Sequence, residues 1–159
     1  MATMTNILVK DDATTPVEYT FVPISDNPDP LWRTAIAGVP LDGQMRLTAS
    51  SRKQKNGSFK ITCKLEVPVM ETLGASGTSS GYVAPPKTAY VNTGIFTMFV
   101  DKRSTIADRA NVLKMIAAFM CGNAAATNAG MSPVTATGDS FKNSAQPMPL
   151  MVTNLITPS

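Results

Sequence analysis

The sequence predicts an α+β fold, an antiparallel sheet built from hairpins with a helix after the last strand. Three observations carry this. Residues 45–68 (MRLTASSRKQKNGSFKITCKLEVP) alternate between polar and apolar positions on both sides of Asn56-Gly57, the period of a strand with one wet and one buried face. Asn-Gly between two such runs is a strong hairpin signal. Residues 103–121 alone carry a sustained helical spacing of apolar side chains.

Along the chain, residues 5–10 (TNILVK) read as a strand, residues 11–16 as turn chemistry and residues 17–24 (VEYTFVPI) as a second strand. Pro23 marks an edge or an end of that strand. The two make an N-terminal hairpin. Residues 25–30 (SDNPDP) form a loop, 31–37 (LWRTAIA) a third strand, 38–43 a turn-rich connection and 44–70 the long hairpin. Residues 71–86 are rich in Gly, Ser and Pro, and so long a connection is usually functional or disordered. Residues 87–101 read as a long strand, with Tyr90, Asn92 and Gly94 on one face and Val91, Thr93 and Ile95 on the other.

In the helical stretch, Thr105 and Asp108 have the spacing of a capping box. Ile106, Ala110, Leu113, Ala117 and Met120 form one stripe, widened by Val112, Ile116 and Phe119, and Gly122-Asn123 is a stop signal. An apolar surface this wide calls for cover from the sheet and from another subunit. Residues 123–146 have weak periodicity, with room for a short helix at 123–129. Residues 147–156 (PMPLMVTNLI) are apolar again and suit a strand or extended arm docked on this subunit or a neighbour.

The register of the long hairpin follows from face purity. A two-residue turn at Asn56-Gly57 sets Arg52 opposite Ile61 and mixes the faces. A loop of Lys55-Asn56-Gly57 with Gly57 left-handed keeps them pure. Arg52 then faces Lys60, Ser50 faces Thr62, Thr48 faces Lys64 and Arg46 faces Glu66. Like charges directly across a ladder are destabilising, so a basic, hydroxyl-rich face that accepts Arg52 opposite Lys60 suggests an anionic partner, most often a phosphate backbone. A solvated face that happens to be basic explains the hairpin alone equally well.

The chain has 159 residues, 43% hydrophobic and 16% charged. That fits one globular domain, 1–159, with a core of its own. A net charge of +3 and a pI near 9.0 permit nucleic-acid binding without demanding it. Cys63 and Cys121, the two cysteines, lack metal-ligand spacing and read as buried free thiols, in keeping with a reducing compartment. No signal peptide or membrane-length apolar run is seen, so no membrane partner is expected.

Catalysis finds little support. There is no histidine, the commonest general base, the carboxylates are scattered, and no phosphate loop, dinucleotide fingerprint or nucleophile elbow occurs. No catalytic residue, metal ligand or cofactor is assigned.

The segments Arg46-Leu47-Thr48-Ala49-Ser50 and 60–68 (KITCKLEVP), with Tyr90-Val91-Asn92 and the helix after Ser104, resemble the coat proteins of single-stranded RNA bacteriophages, the leviviruses. The resemblance covers roughly residues 5–123. It implies an N-terminal β-hairpin plus a five-stranded antiparallel sheet followed by two C-terminal helices, in an intertwined dimer whose sheets pair edge to edge and whose helices lie over the partner. It implies that such homodimers build an icosahedral virion around viral genomic RNA, assembled in the bacterial host cytoplasm, with the sheet facing inward. Carried onto this chain, the RNA-binding positions are Arg46, Thr48, Ser50, Arg52, Lys60, Thr62 and Lys64, with Tyr90 and Asn92. The basic residues would meet phosphates, Thr48 and Thr62 would form base pockets, Tyr90 would stack a base and Asn92 would bond a base edge or sugar.

The resemblance further implies that the protein binds an RNA stem-loop as a translational repressor. Gly94 stands where some relatives carry a larger polar side chain. Residues 71–86 lack the cysteines that link subunits in some relatives, so no covalent ring is expected. A freestanding RNA-binding module or RNA chaperone using the same sheet face is the alternative. The Gly/Ser-rich loop and the apolar 147–156 tail favour assembly, since each is a liability on a monomer.

Overall fold

The computed structural model describes residues 4–13, 15–71 and 87–121. Its elements are β1 (Ile7–Lys10), β2 (Glu18–Ser25), β3 (Leu31–Thr34), β4 (Arg46–Lys53), β5 (Phe59–Met70), β6 (Thr88–Val100) and α1 (Ile106–Cys121), with one 3₁₀ turn at Leu41–Gly43. The strands form one sheet in the order β1-β2-β3-β4-β5-β6, an antiparallel meander in which neighbours in sequence are neighbours in space. Six strands lie among the described residues, counting the two of the first hairpin. The first hairpin is continuous with the rest, because β2 carries the ladder on to β3 from Phe21↔Thr34 to Pro23↔Trp32. The second helix and the C-terminal arm lie outside the described residues.

Two compact units are distinguished. Met1–Leu8 with Thr20–Lys102 holds most of the sheet, and Val9–Tyr19 with Arg103–Ser159 holds the tip of the first hairpin and α1. At that tip the Asp11 carboxylate accepts the Val17 N–H at 2.8 Å, the Ala13 N–H at 3.3 Å and the Tyr19 hydroxyl at 3.4 Å. These bonds, the one from Val17 above all, hold its pKa below the usual carboxylate value. Pro23 sits inside the sheet rather than at an edge. Proline has no N–H to give a ladder, and interior prolines are tolerated at bulges. Here the register slips by one between Pro23 and Ser25.

β3 ends at Thr34, short of the predicted Ala37, because a side chain takes over the backbone groups beyond it. The Gln44 amide accepts from the Ile36 N–H and the Thr34 hydroxyl, and donates to the carbonyls of Ile36 and Val39, all at 2.9–3.0 Å. Thr34 Oγ1 in turn accepts the Met45 N–H at 3.0 Å. Thr34 and Gln44 are 1% and 6% exposed, and buried polar groups this well paired fix the path of the chain from β3 into β4. Gly43 completes the corner, since a Cβ there would collide with Met70 Sδ and lie 2.7 Å from Val39 Cγ1.

The capping box predicted at α1 is present. Asp108 N–H donates to Thr105 Oγ1, while the Thr105 N–H and hydroxyl both donate to Asp108 Oδ2. Those bonds hold the Asp108 carboxyl below its ordinary pKa.

Gln44→Ala strands the Ile36 N–H and two carbonyls. It should cost about 3 kcal/mol, at roughly 1–3 kcal/mol per buried polar group left unpaired. Urea unfolding measures this, and a loss near zero would remove the clamp role. For Asp108 the folded pKa is depressed, so its contribution is present above the unfolded value of about 3.9 and is lost as pH falls through the folded value. Asp108→Asn should flatten the acid-range decline in helix stability followed by circular dichroism, and an unchanged slope would contradict the cap.

Candidate nucleic-acid interface

The surface that gathers the predicted binding residues is organised by the loop between β4 and β5. Gln54 N–H donates to the Ser58 carbonyl at 2.7 Å and Gly57 N–H to the Gln54 carbonyl at 3.0 Å. Asn56 Oδ1 accepts from both the N–H and the hydroxyl of Ser58. Gly57 has φ +84°, a conformation nearly reserved for glycine. This is a three-residue loop with a glycine bulge, and it yields the register argued from the sequence: Arg46↔Glu66, Thr48↔Lys64, Ser50↔Thr62 and Arg52↔Lys60. Directly opposed residues share a face, so Arg46, Thr48, Ser50, Arg52, Lys60, Thr62 and Lys64 lie together. Leu47, Ala49, Cys63 and Leu65 point the other way.

Acids temper this face without cancelling it. Arg52 pairs with Asp29 at 2.7 Å, Lys64 with Glu66 at 2.8 Å, and Arg46 with Asp42 at 3.8 Å. Asp29 eases the repulsion between Arg52 and Lys60. Exposed pairs of this kind contribute little to stability and leave the cations available, with the Arg52 side chain 64% exposed. The structure adds Arg33, which β3 sets directly across from Arg46. Sequence reasoning missed it because four residues of β3 do not reveal a face until paired with β4. At the Arg46 end, a shallow cleft of about 270 Å³ is lined by Asp42, Arg46, Glu66, Pro68, Thr88 and Val91.

Tyr90 and Asn92 are not brought to this face. β6 pairs with β5 through Val69↔Tyr90, Val67↔Asn92 and Leu65↔Gly94, which puts them on the apolar side with Leu65 and Val67. The residues of β6 on the basic side are Val91, Thr93, Ile95, Thr97 and Phe99, opposite Pro68, Glu66, Lys64, Thr62 and Lys60. A long connection imposes no register, unlike the Gly57 loop. The pairing instead matches Phe96, Met98 and Val100 to Cys63, Ile61 and Phe59, a hydrophobic match of the kind that fixes register where a face is buried. Cys63, half-buried there, has its thiol pKa pushed up by burial. Among the described residues no group of three or more potential ligands is placed to hold a metal ion.

The six-strand antiparallel sheet followed by a helix has the fold of a solved phage coat protein. The Levivirus coat protein family model matches residues 2–141, and the chain belongs to that family. It is 40% identical over 120 residues to the capsid protein of Pseudomonas phage PRR1, spanning 73% of this chain and 84% of that one. Among solved structures, the virus-like particle of bacteriophage EMS014 matches with a TM-score of 0.86 and 45% identity, over 99% of this chain and 100% of that one. The virus-like particle of bacteriophage ESE058 shares the fold at 19% identity and a TM-score of 0.74, over 99% and 100% of the two chains.

Arg52→Glu combined with Lys60→Glu should weaken RNA binding and lower the slope of log affinity against log salt by roughly 2, about one for each phosphate left without its cation. Titrations of labelled RNA at several salt concentrations measure it, and an unchanged slope would move the binding surface elsewhere.

Proposed function

We propose that this chain is the coat subunit of a single-stranded RNA phage. It pairs with a second copy, builds an icosahedral shell in the bacterial cytoplasm and turns the basic β4–β5 face toward the packaged genome. The carrying observation is the contrast between the two sheet faces. One is basic and hydroxyl-rich, suited to phosphate. The other is apolar yet open in the single chain, with Phe59, Ile61 and Leu65 exposed.

Incomplete burial supports the need for a second copy. Among the described residues, only Phe21 and Val100 are buried apolar side chains, while α1 leaves Ile106 at 79% and Phe119 at 65% exposure. Monomeric proteins rarely expose apolar surface on this scale. β6 is the long edge strand of the sheet, and edges of this kind are ready to pair. A twofold β6–β6 pairing is self-complementary and joins two sheets into one, with the helix of each subunit over the apolar face of the other. The particle formed by EMS014 coat protein supports the same assembly here.

On the RNA side, Arg33, Arg46, Arg52, Lys60 and Lys64 take phosphates, and Thr48, Ser50 and Thr62 bond bases or sugars of an unpaired loop. Binding one genomic stem-loop at the replicase start would make the same surface a translational repressor. Electron microscopy of the purified recombinant protein, with nucleic acid read from the absorbance ratio, tests the proposal. Uniform icosahedral particles that contain RNA are expected. Small dimers that never assemble under any salt condition would point to a freestanding RNA-binding module.

A further inference from the structure

We propose that Phe99 is the platform on which an unpaired RNA base stacks, with Lys60 and Arg52 holding the adjoining phosphates. This rests on the reading of the basic face as the RNA side. The pairings Arg52↔Lys60 and Lys60↔Phe99 place the three residues in one row across adjacent strands. Neighbours in such a row are roughly 5 Å apart. Phe99 is 68% exposed, and Ile95, four residues earlier on the same face, is 62% exposed. Arg52 is half-neutralised by Asp29, whereas Lys60 has no carboxylate within ion-pair distance among the described residues.

The surroundings favour an anion-bearing occupant over an apolar protein segment. The exposed Lys55 lies in the adjoining loop, and Lys102 reaches over its tip, with Cδ 3.3 Å from the position a Cβ on Gly57 would take. An aromatic ring set in a cationic groove is the general means of holding single strands without sequence preference, the ring taking the base and the cations the backbone. Along the same face toward the Arg46 end, Thr97 opposite Thr62 and Ile95 opposite Lys64 offer no second ring.

The test uses the full-length protein freed of host RNA and two fluorescent probes, a short oligoadenylate and an abasic oligomer of equal length and charge. Phe99→Leu keeps the apolar bulk but removes the ring. It should weaken oligoadenylate binding about tenfold, the scale of one lost base stack, and leave the abasic probe unchanged. Phe99→Trp should retain affinity and add indole fluorescence that oligoadenylate quenches beyond the Trp32 background. Lys60→Ala should weaken both probes. Wild-type oligoadenylate affinity in Phe99→Leu, or an equal loss on both probes, overturns the stacking role, as does a loss of dimer or particle yield without a change in affinity. If Lys60→Ala also leaves both probes unaffected, the RNA-facing reading of the sheet fails with it.

Discussion

The left-handed Gly57 at the tip of β4–β5 sets the parity on which the surface chemistry depends. In a strand, side chains alternate faces, so a loop longer or shorter by one residue would flip every side chain of β5 relative to β4. With three residues in the loop, cations and hydroxyls of two strands converge and their apolar alternates converge on the reverse side. A Cβ at Gly57 would meet φ +84° and come within 3.3 Å of Lys102, so both backbone strain and local crowding favour glycine there. The Arg52–Lys60 juxtaposition is the cost of that parity, and Asp29 offsets part of it.

The other consequence is a subunit incomplete by itself. The sheet separates a side rich in cations and hydroxyls from an apolar side, and among the described residues burial in one copy is confined to a few points such as Phe21, Val100 and the Thr34–Gln44 pair. Hydrophobic burial is the dominant favourable term in folding and in most association. A chain that leaves so much apolar surface on β5, β6 and α1 places much of that term in interfaces with other copies. In the proposed assembly folding and association are coupled, and stability depends on protomer concentration.

The hairpin and its pairings were legible in the sequence because period-two alternation and Asn-Gly together leave one consistent register. The α1 start was legible for a similar reason, as Thr105 and Asp108 sit three apart. What was not legible depends on long-range pairing. β6 carries apolar residues at both parities, Ile95 and Phe99 on one and Phe96, Met98 and Val100 on the other, so its own pattern chooses no face. Transferring Tyr90 and Asn92 from family resemblance put them on the basic side, and the pairing with Val69 and Val67 puts them on the other. Arg33 was hidden because β3 is short, and Gln44 because nothing in GQMRL marks a side chain that will close four backbone and hydroxyl bonds. Pro23 read as an edge or an end of its strand; it lies two residues before that strand's end at Ser25, where a bulge accommodates it inside the sheet.

The face assignment is the claim on which the rest stands. Cryo-electron microscopy of RNA-filled particles tests it most directly, by showing which side of the sheet the nucleic acid density touches. Density along Arg46, Thr48, Ser50 and Arg52, continuing over Lys60, Thr62 and Lys64 to Phe99, is the predicted result, with Tyr90 and Asn92 on the far side. Density seated against Tyr90 and Asn92, beside Val67 and Val69, would contradict the account.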